Sequence, residues 1–89
     1  MAPTIGRIVH YTLSGQDADA VNRHRDTCSI TNVGNPASEG DVFPMMIVRV
    51  WPGEELVQGQ VFLDGNDVLW VTSVAEGTGP RTFAWPARS

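Results

Sequence analysis

The sequence predicts a mainly β domain of about five short strands, with one short helix after the first strand. Three observations carry that reading. Apolar residues recur at alternate positions in several separate runs, the period of a strand with a buried face. Gly, Pro, Asn and Asp cluster between these runs, where turns belong. Only the segment after the first run carries helix-end signals. At 89 residues the chain makes one small domain, 1–89. A domain of this size has a thin core and usually needs a staple.

The first strand is "GRIVHYTL" (6–13), with Val9, Tyr11 and Leu13 on one face and Ile8, His10 and Thr12 on the other. "SGQDADAVNRHR" follows. Ser14 and Asp17 form a weaker version of the capping box, and Asp17 and Asp19 sit where a helix N-terminus favours negative charge. Arg23, His24 and Arg25 fall at the opposite end, so the spacing predicts a helix over 15–25. Its apolar face is little more than Ala18 and Val21, and it docks lightly. From 26 to 40 no period is sustained, and a connection this long is either functional or mobile. Cys28, Ile30 and Val33 are placed to tack its first half onto the body.

"DVFPMMIVRVW" (41–51) is a strand interrupted by Pro44, which cannot donate to a ladder and belongs at an edge, a strand start or a bulge. Met46, Val48 and Val50 face one side, and Met45, Ile47, Arg49 and Trp51 the other. Both faces are largely apolar, which calls for a second layer on each side, one of them a neighbouring subunit. After the turn "PGEE" (52–55) comes "VQGQVFLDGNDVLWVTSV". With Asp64–Asp67 as the loop, Leu63 pairs with Val68, Val61 with Trp70 and Gly59 with Thr72. That register puts Val57, Val61, Leu63, Val68, Trp70 and Val74 on the core face, with Gly59 leaving room for the indole of Trp70. Gly77, Gly79 and Pro80 make a turn, and "RTFAW" (81–85) is the last strand, stopped by Pro86. Such a set of elements builds either a small, strongly bent antiparallel sheet or an SH3-like barrel.

Ten acids stand against six bases, all of them arginine, for a formal net charge of −4. This balance argues against nonspecific nucleic-acid binding, which needs cations to displace counterions from phosphates. A single cysteine excludes an internal disulfide, and one cysteine with two distant histidines does not make the common zinc site. Self-association is the staple that remains, so a homo-oligomer is expected. No stretch approaches the ~20 apolar residues of a membrane span, and the N-terminus lacks a signal-peptide layout.

Three blocks, "GRIVHYTLS", "GDVFPMMIVRVW" and "GQVFLDGNDVLWVTSV…TFAWP", resemble a family of small proteins encoded by phages of actinobacteria. The resemblance runs from about Pro3 to Pro86 and is specific in those blocks. It implies a phage gene product acting in the host bacterial cytoplasm, and it brings no activity with it.

No G-x-S-x-G elbow, phosphate-binding glycine loop, H-E-x-x-H or paired metal ligands occur, so neither catalysis nor a cofactor is expected. Binding fits better. Trp51 and Trp85, each followed by proline, sit at strand ends, where a ring is either a stacking platform or a cover for the barrel or a subunit interface. Arg81 and Arg49 call for a partner, either a carboxylate such as Asp64 or Asp67 or a ligand phosphate. Asp64, Asn66 and Asp67 supply acceptors and an amide at a loop tip, and with Arg81 and Trp85 they have the chemistry to hold a nucleotide. They are equally sufficient as turn residues. His10 is either a half-buried structural residue or faces Asp67 or Cys28.

The first expectation is therefore a homo-oligomeric, non-enzymatic protein that sequesters a small host molecule, specifically a nucleotide-type immune signal held between subunits. The second is an interaction module that inhibits a host protein through an acidic face, and the third a minor virion component. A concave site with inward-pointing arginines favours the first, and a flat acidic or apolar patch the second.

Overall fold

The computed structural model describes residues 3–27, 34–53, 55–65 and 67–86. The elements are β1 (Ile8–Thr12), α1 (Gly15–Thr27), β2 (Val42–Val50), β3 (Val57–Phe62), β4 (Val68–Glu76) and β5 (Thr82–Ala84). The five strands close into a barrel in the order β1-β2-β3-β4-β5, with β5 returning to β1. Of the two expected architectures this is the barrel. All neighbours are antiparallel except β4 and β5, which run parallel.

The alternation of β1 sets the inner face as expected: Val9, Tyr11 and the following Leu13 are fully buried. From β2 and β3 come Met45, Ile47, Val57 and Val61, all buried, and β5 adds Phe83. Gly59 is opposite Ile47, and a Cβ on it would press into the side chain of Met45. The space that glycine leaves is thus filled by Met45, not by the indole of Trp70.

At the start of α1 the capping box forms in both directions. The Asp17 amide donates to Ser14 Oγ at 3.0 Å, and the Ser14 amide donates to Asp17 Oδ2 at 3.0 Å. The same Oδ2 accepts the buried Tyr11 hydroxyl at 2.5 Å, which ties the cap to the core. Burial and this carboxylate push the Tyr11 hydroxyl well above the usual phenol range. Ala18 and Val21 are the buried face of the helix. The Asn22 amide adds to that narrow face by bonding both backbone groups of Ala37, at 2.9 and 3.0 Å. Tyr11→Phe is expected to lower stability by about 1.5–3 kcal/mol, the range for a hydrogen bond to a charged group. A urea melt checks this, and an unchanged midpoint would show that the bond contributes nothing.

Two bulges break the alternation that the sequence suggests. In β2 the register shifts between Ile47 and Arg49, so Val48 is an extra residue. Arg49 is therefore exposed rather than on the inner face, while Val50 packs against the core. In β4, Val71 pairs with Gly59 and Val74 with Val57, so two residues of β4 oppose the single Gln58. Ser73 takes the left-handed conformation there, at φ 54°. Val71 and Val74 both point inward across this bulge.

The β3–β4 register is also one residue away from the expected one. Phe62 pairs with Val68, Val61 with Leu69 and Gln60 with Trp70. Leu63 leaves the ladder and turns into the core, and the Gly65 amide donates back to its carbonyl at 2.9 Å. The slip inverts the expected faces near the hairpin: Val68 and Trp70 point outward, 54 and 56 % exposed. Trp70 is not a core residue.

Candidate functional site

The acids of the hairpin loop hold the domain together. Arg25, in the last turn of α1, grips Asp67 with two parallel bonds, Nε to Oδ2 at 3.0 Å and Nη2 to Oδ1 at 2.9 Å. Its Nη1 also donates to the carbonyl of Asn35. The guanidinium holds the Asp67 carboxyl below the usual carboxylate range. Asp64 accepts the Asn35 side-chain amide at 2.7 Å through Oδ2 and the Asn35 backbone amide at 2.9 Å through its carbonyl. Gly34 bridges Gly65, and a Cβ on Gly34 would collide with the backbone of Asp64 and Gly65 and with Arg25. The sequence reading missed Arg25, although a cation in the last helical turn was the available signal. Asn66, Cys28, Ile30 and Val33 lie outside the described residues.

The other candidates are spread over the barrel. Arg81 takes a positive φ of 63°, and its amide donates to the Thr12 carbonyl at 2.7 Å, beside the C-terminal end of β1. Trp85 lies beyond β5 towards the start of β1. There its ring packs edge-on against Phe83, centroids 6.1 Å apart, with the Arg7 guanidinium 5.3 Å from its own centroid. The whole of β5 separates Arg81 from Trp85, while the loop acids bond Arg25 and Asn35. The Trp85 indole nitrogen is buried with no hydrogen-bond partner among the described residues. Arg49 stacks 4.9 Å from the ring centroid of Trp51, a cation–π pair rather than an ion pair. His10 is exposed on β1, opposite Pro44 on one side and Ala84 on the other. Among the described residues no three His, Cys, Asp or Glu side chains gather as metal ligands would, and no helix is long and apolar enough to cross a membrane.

What the structure does gather is an apolar wall on the outside of the barrel. Ile8 pairs with Met46, Met46 with Gln60 and Gln60 with Trp70, an outward row that curves around four of the barrel's five strands and is centred on β2–β4. Phe62 and Val68, paired with each other, widen it, and Val48 lies on it at the β2 bulge. All of these apolar side chains are more than a third exposed. Strands β1, β2 and β3 contain no acid at all, and the one acid of β4 is its last residue, Glu76. The acids of the chain lie instead on α1 and in the connections, as with Asp17, Glu39, Asp41, Asp64 and Asp67. Two-sided apolarity in β2 was the sequence signal for this wall; Trp70 and Val68 were hidden from it by the register slip. Comparison with family models, curated proteins and solved structures gives no match for this chain.

Proposed function

We propose that this protein is a non-enzymatic interaction module that works through the outer wall of its barrel. One observation carries the reading: an acid-free outward row, apolar but for the half-buried Gln60 and ending in the exposed Trp70, on a chain of net charge −4. Monomeric proteins rarely expose apolar patches beyond roughly 300–600 Å², and patches near that size are often functional. Tryptophan is also among the residues that dominate binding energy at interfaces. The closed barrel leaves strand addition at an edge out of play, so contact is made face to face. The wall is apolar rather than acidic, which replaces the acidic face as the contact surface. A nucleotide sponge would need Arg81, Trp85 and the loop acids in one place, and Asp67 is already held by Arg25.

The test uses anilinonaphthalenesulfonate, a dye that fluoresces on apolar surfaces, and native mass spectrometry with cyclic and linear nucleotides. Dilute protein is expected to bind the dye, the double variant Phe62→Ser, Trp70→Ser to lose most of that binding, and neither to take up a nucleotide. Nucleotide uptake retained by the variant would overturn the proposal, as would dye binding that ignores the wall.

A further inference from the structure

We infer that the β3–β4 hairpin has two registers, and that the Arg25–Asp67 clamp locks it in the one that holds Val68 and Trp70 outside. The first argument is composition. Residues 68–71 read Val-Leu-Trp-Val, so either face of this stretch can be buried. Register is specified strongly where one face alone is suited to the core. In the structure Leu69 and Val71 pack inward while Val68 and Trp70 are exposed. Moving the stretch by one residue along β3 pairs Leu63 with Val68 and Val61 with Trp70, and exchanges the two sets.

The second argument is that the slip is local and relieves a strained residue. A ladder that pairs Leu63 with Val68 and continues without a bulge arrives at Val57 opposite Val74, a pair the structure already has. Everything beyond it stays in place, including the β4–β5 pairs Ala75–Thr82 and Glu76–Phe83. The slip removes the bulge opposite Gln58 and lets Ser73 leave its positive φ of 54° for an extended conformation. Room for the indole inside comes from the outward turn of Leu69 and Val71. Met45, which fills the space beside Gly59, is a flexible side chain that repacks readily.

The third argument is the lock. Asp67 immediately precedes Val68, and Arg25 holds both of its carboxylate oxygens, at 3.0 and 2.9 Å. A one-residue slip displaces the start of β4 by about 3.3 Å and turns its side chains to the opposite face, which this two-point grip does not survive. On the β3 side Asp64 is bonded twice to Asn35, and Gly65 bridges Gly34 so closely that Gly34 has no space for a Cβ. Leu63 cannot join the ladder without disturbing these bonds. The end of α1 and residues 34–35 thus hold the hairpin against the pattern of its own sequence. Releasing the clamp withdraws Trp70 and Val68 from the outer wall; that this alters binding rests on the interaction-module reading.

Solution NMR on the full chain tests the lock, with Ser73→Gly, Arg25→Met and the double variant Arg25→Met, Ser73→Val. Wild type and Ser73→Gly are expected to show the cross-strand contacts Gln60–Trp70 and Phe62–Val68. Arg25→Met should show these together with a second set, Val61–Trp70 and Leu63–Val68. The double variant also places a branched side chain where φ is positive; it should show mainly the second set, with carbene labelling of Trp70 reduced several-fold. The wild-type contacts alone in Arg25→Met would overturn the inference, whether or not the double variant folds. Wild type that fails to bind the apolar dye would sink the interaction module and not the lock, which the cross-strand contacts decide.

Discussion

Phe83→Ala is expected to cost about 3–5 kcal/mol, the range for removing a buried phenyl ring, and to leave the chain largely unfolded. β5 is only three residues long, yet it closes the barrel by pairing with both β1 and β4. Phe83 is its one fully inward side chain, 1 % exposed, and it also supports the edge of Trp85. The rest of β5 has little to hold it: two residues are paired with β1 and two with β4. Removing the ring therefore opens the barrel as well as the core. A native domain has only about 0.05–0.15 kcal/mol of stability per residue, so one such loss removes much of the total. Circular dichroism with a urea titration checks this. A cooperative transition shifted by less than ~1 kcal/mol would show that the site collapses around the gap, in the manner of the mildest large-to-small core changes.

Arg25→Met is expected to lower stability by about 2–3 kcal/mol at neutral pH, since it strips a largely buried carboxylate of two charge-assisted bonds. The same change should alter the response to acid. The Asp67 carboxyl is held down in the folded protein, first by its bonds to Arg25. A group with a depressed folded pKa contributes stability above its unfolded value, about 3.9 for Asp, and loses it as pH falls through the lower folded value. Wild type should therefore lose this increment on acidification below about pH 4, and Arg25→Met should lose much less over the same interval. Urea midpoints at neutral pH and near pH 3 measure it. Parallel acid profiles for the two proteins would mean that the pair contributes no net stability.

Local chemistry with a single competent solution was legible in the sequence. The capping box of Ser14 and Asp17, the inward set Val9, Tyr11 and Leu13, and the count and order of strands follow from residue type and spacing. Features created by bulges were not. Nothing in "VQGQVFLDGNDVLWVTSV" announces that Ser73 will take a left-handed conformation, or that Leu63 will leave the ladder. Alternation was carried through both points, and Trp70 was placed inside on that account. Val74 was placed correctly only because the slip in register and the bulge offset each other. For the candidate residues the difficulty was partnership at long range. The acids of Asp64 and Asp67 invited a ligand because Arg25 and Asn35, about thirty to forty residues earlier in the chain, were not yet known to face them. Arg49 called for a carboxylate and found the ring of Trp51 instead.

The central claim is that the outer wall is the working surface, and carbene footprinting of the two exposed tryptophans tests it most directly. Trp70 lies on the wall and Trp51 at the turn after β2, with 56 and 43 % of their surfaces open in a single copy. Labelling of Trp70 is predicted to fall several-fold in bacterial lysate relative to dilute purified protein, with Met46 and Phe62 falling alongside it, while Trp51 is labelled equally in both. Labelling of Trp70 that stays level with that of Trp51 in the lysate as well would contradict the account.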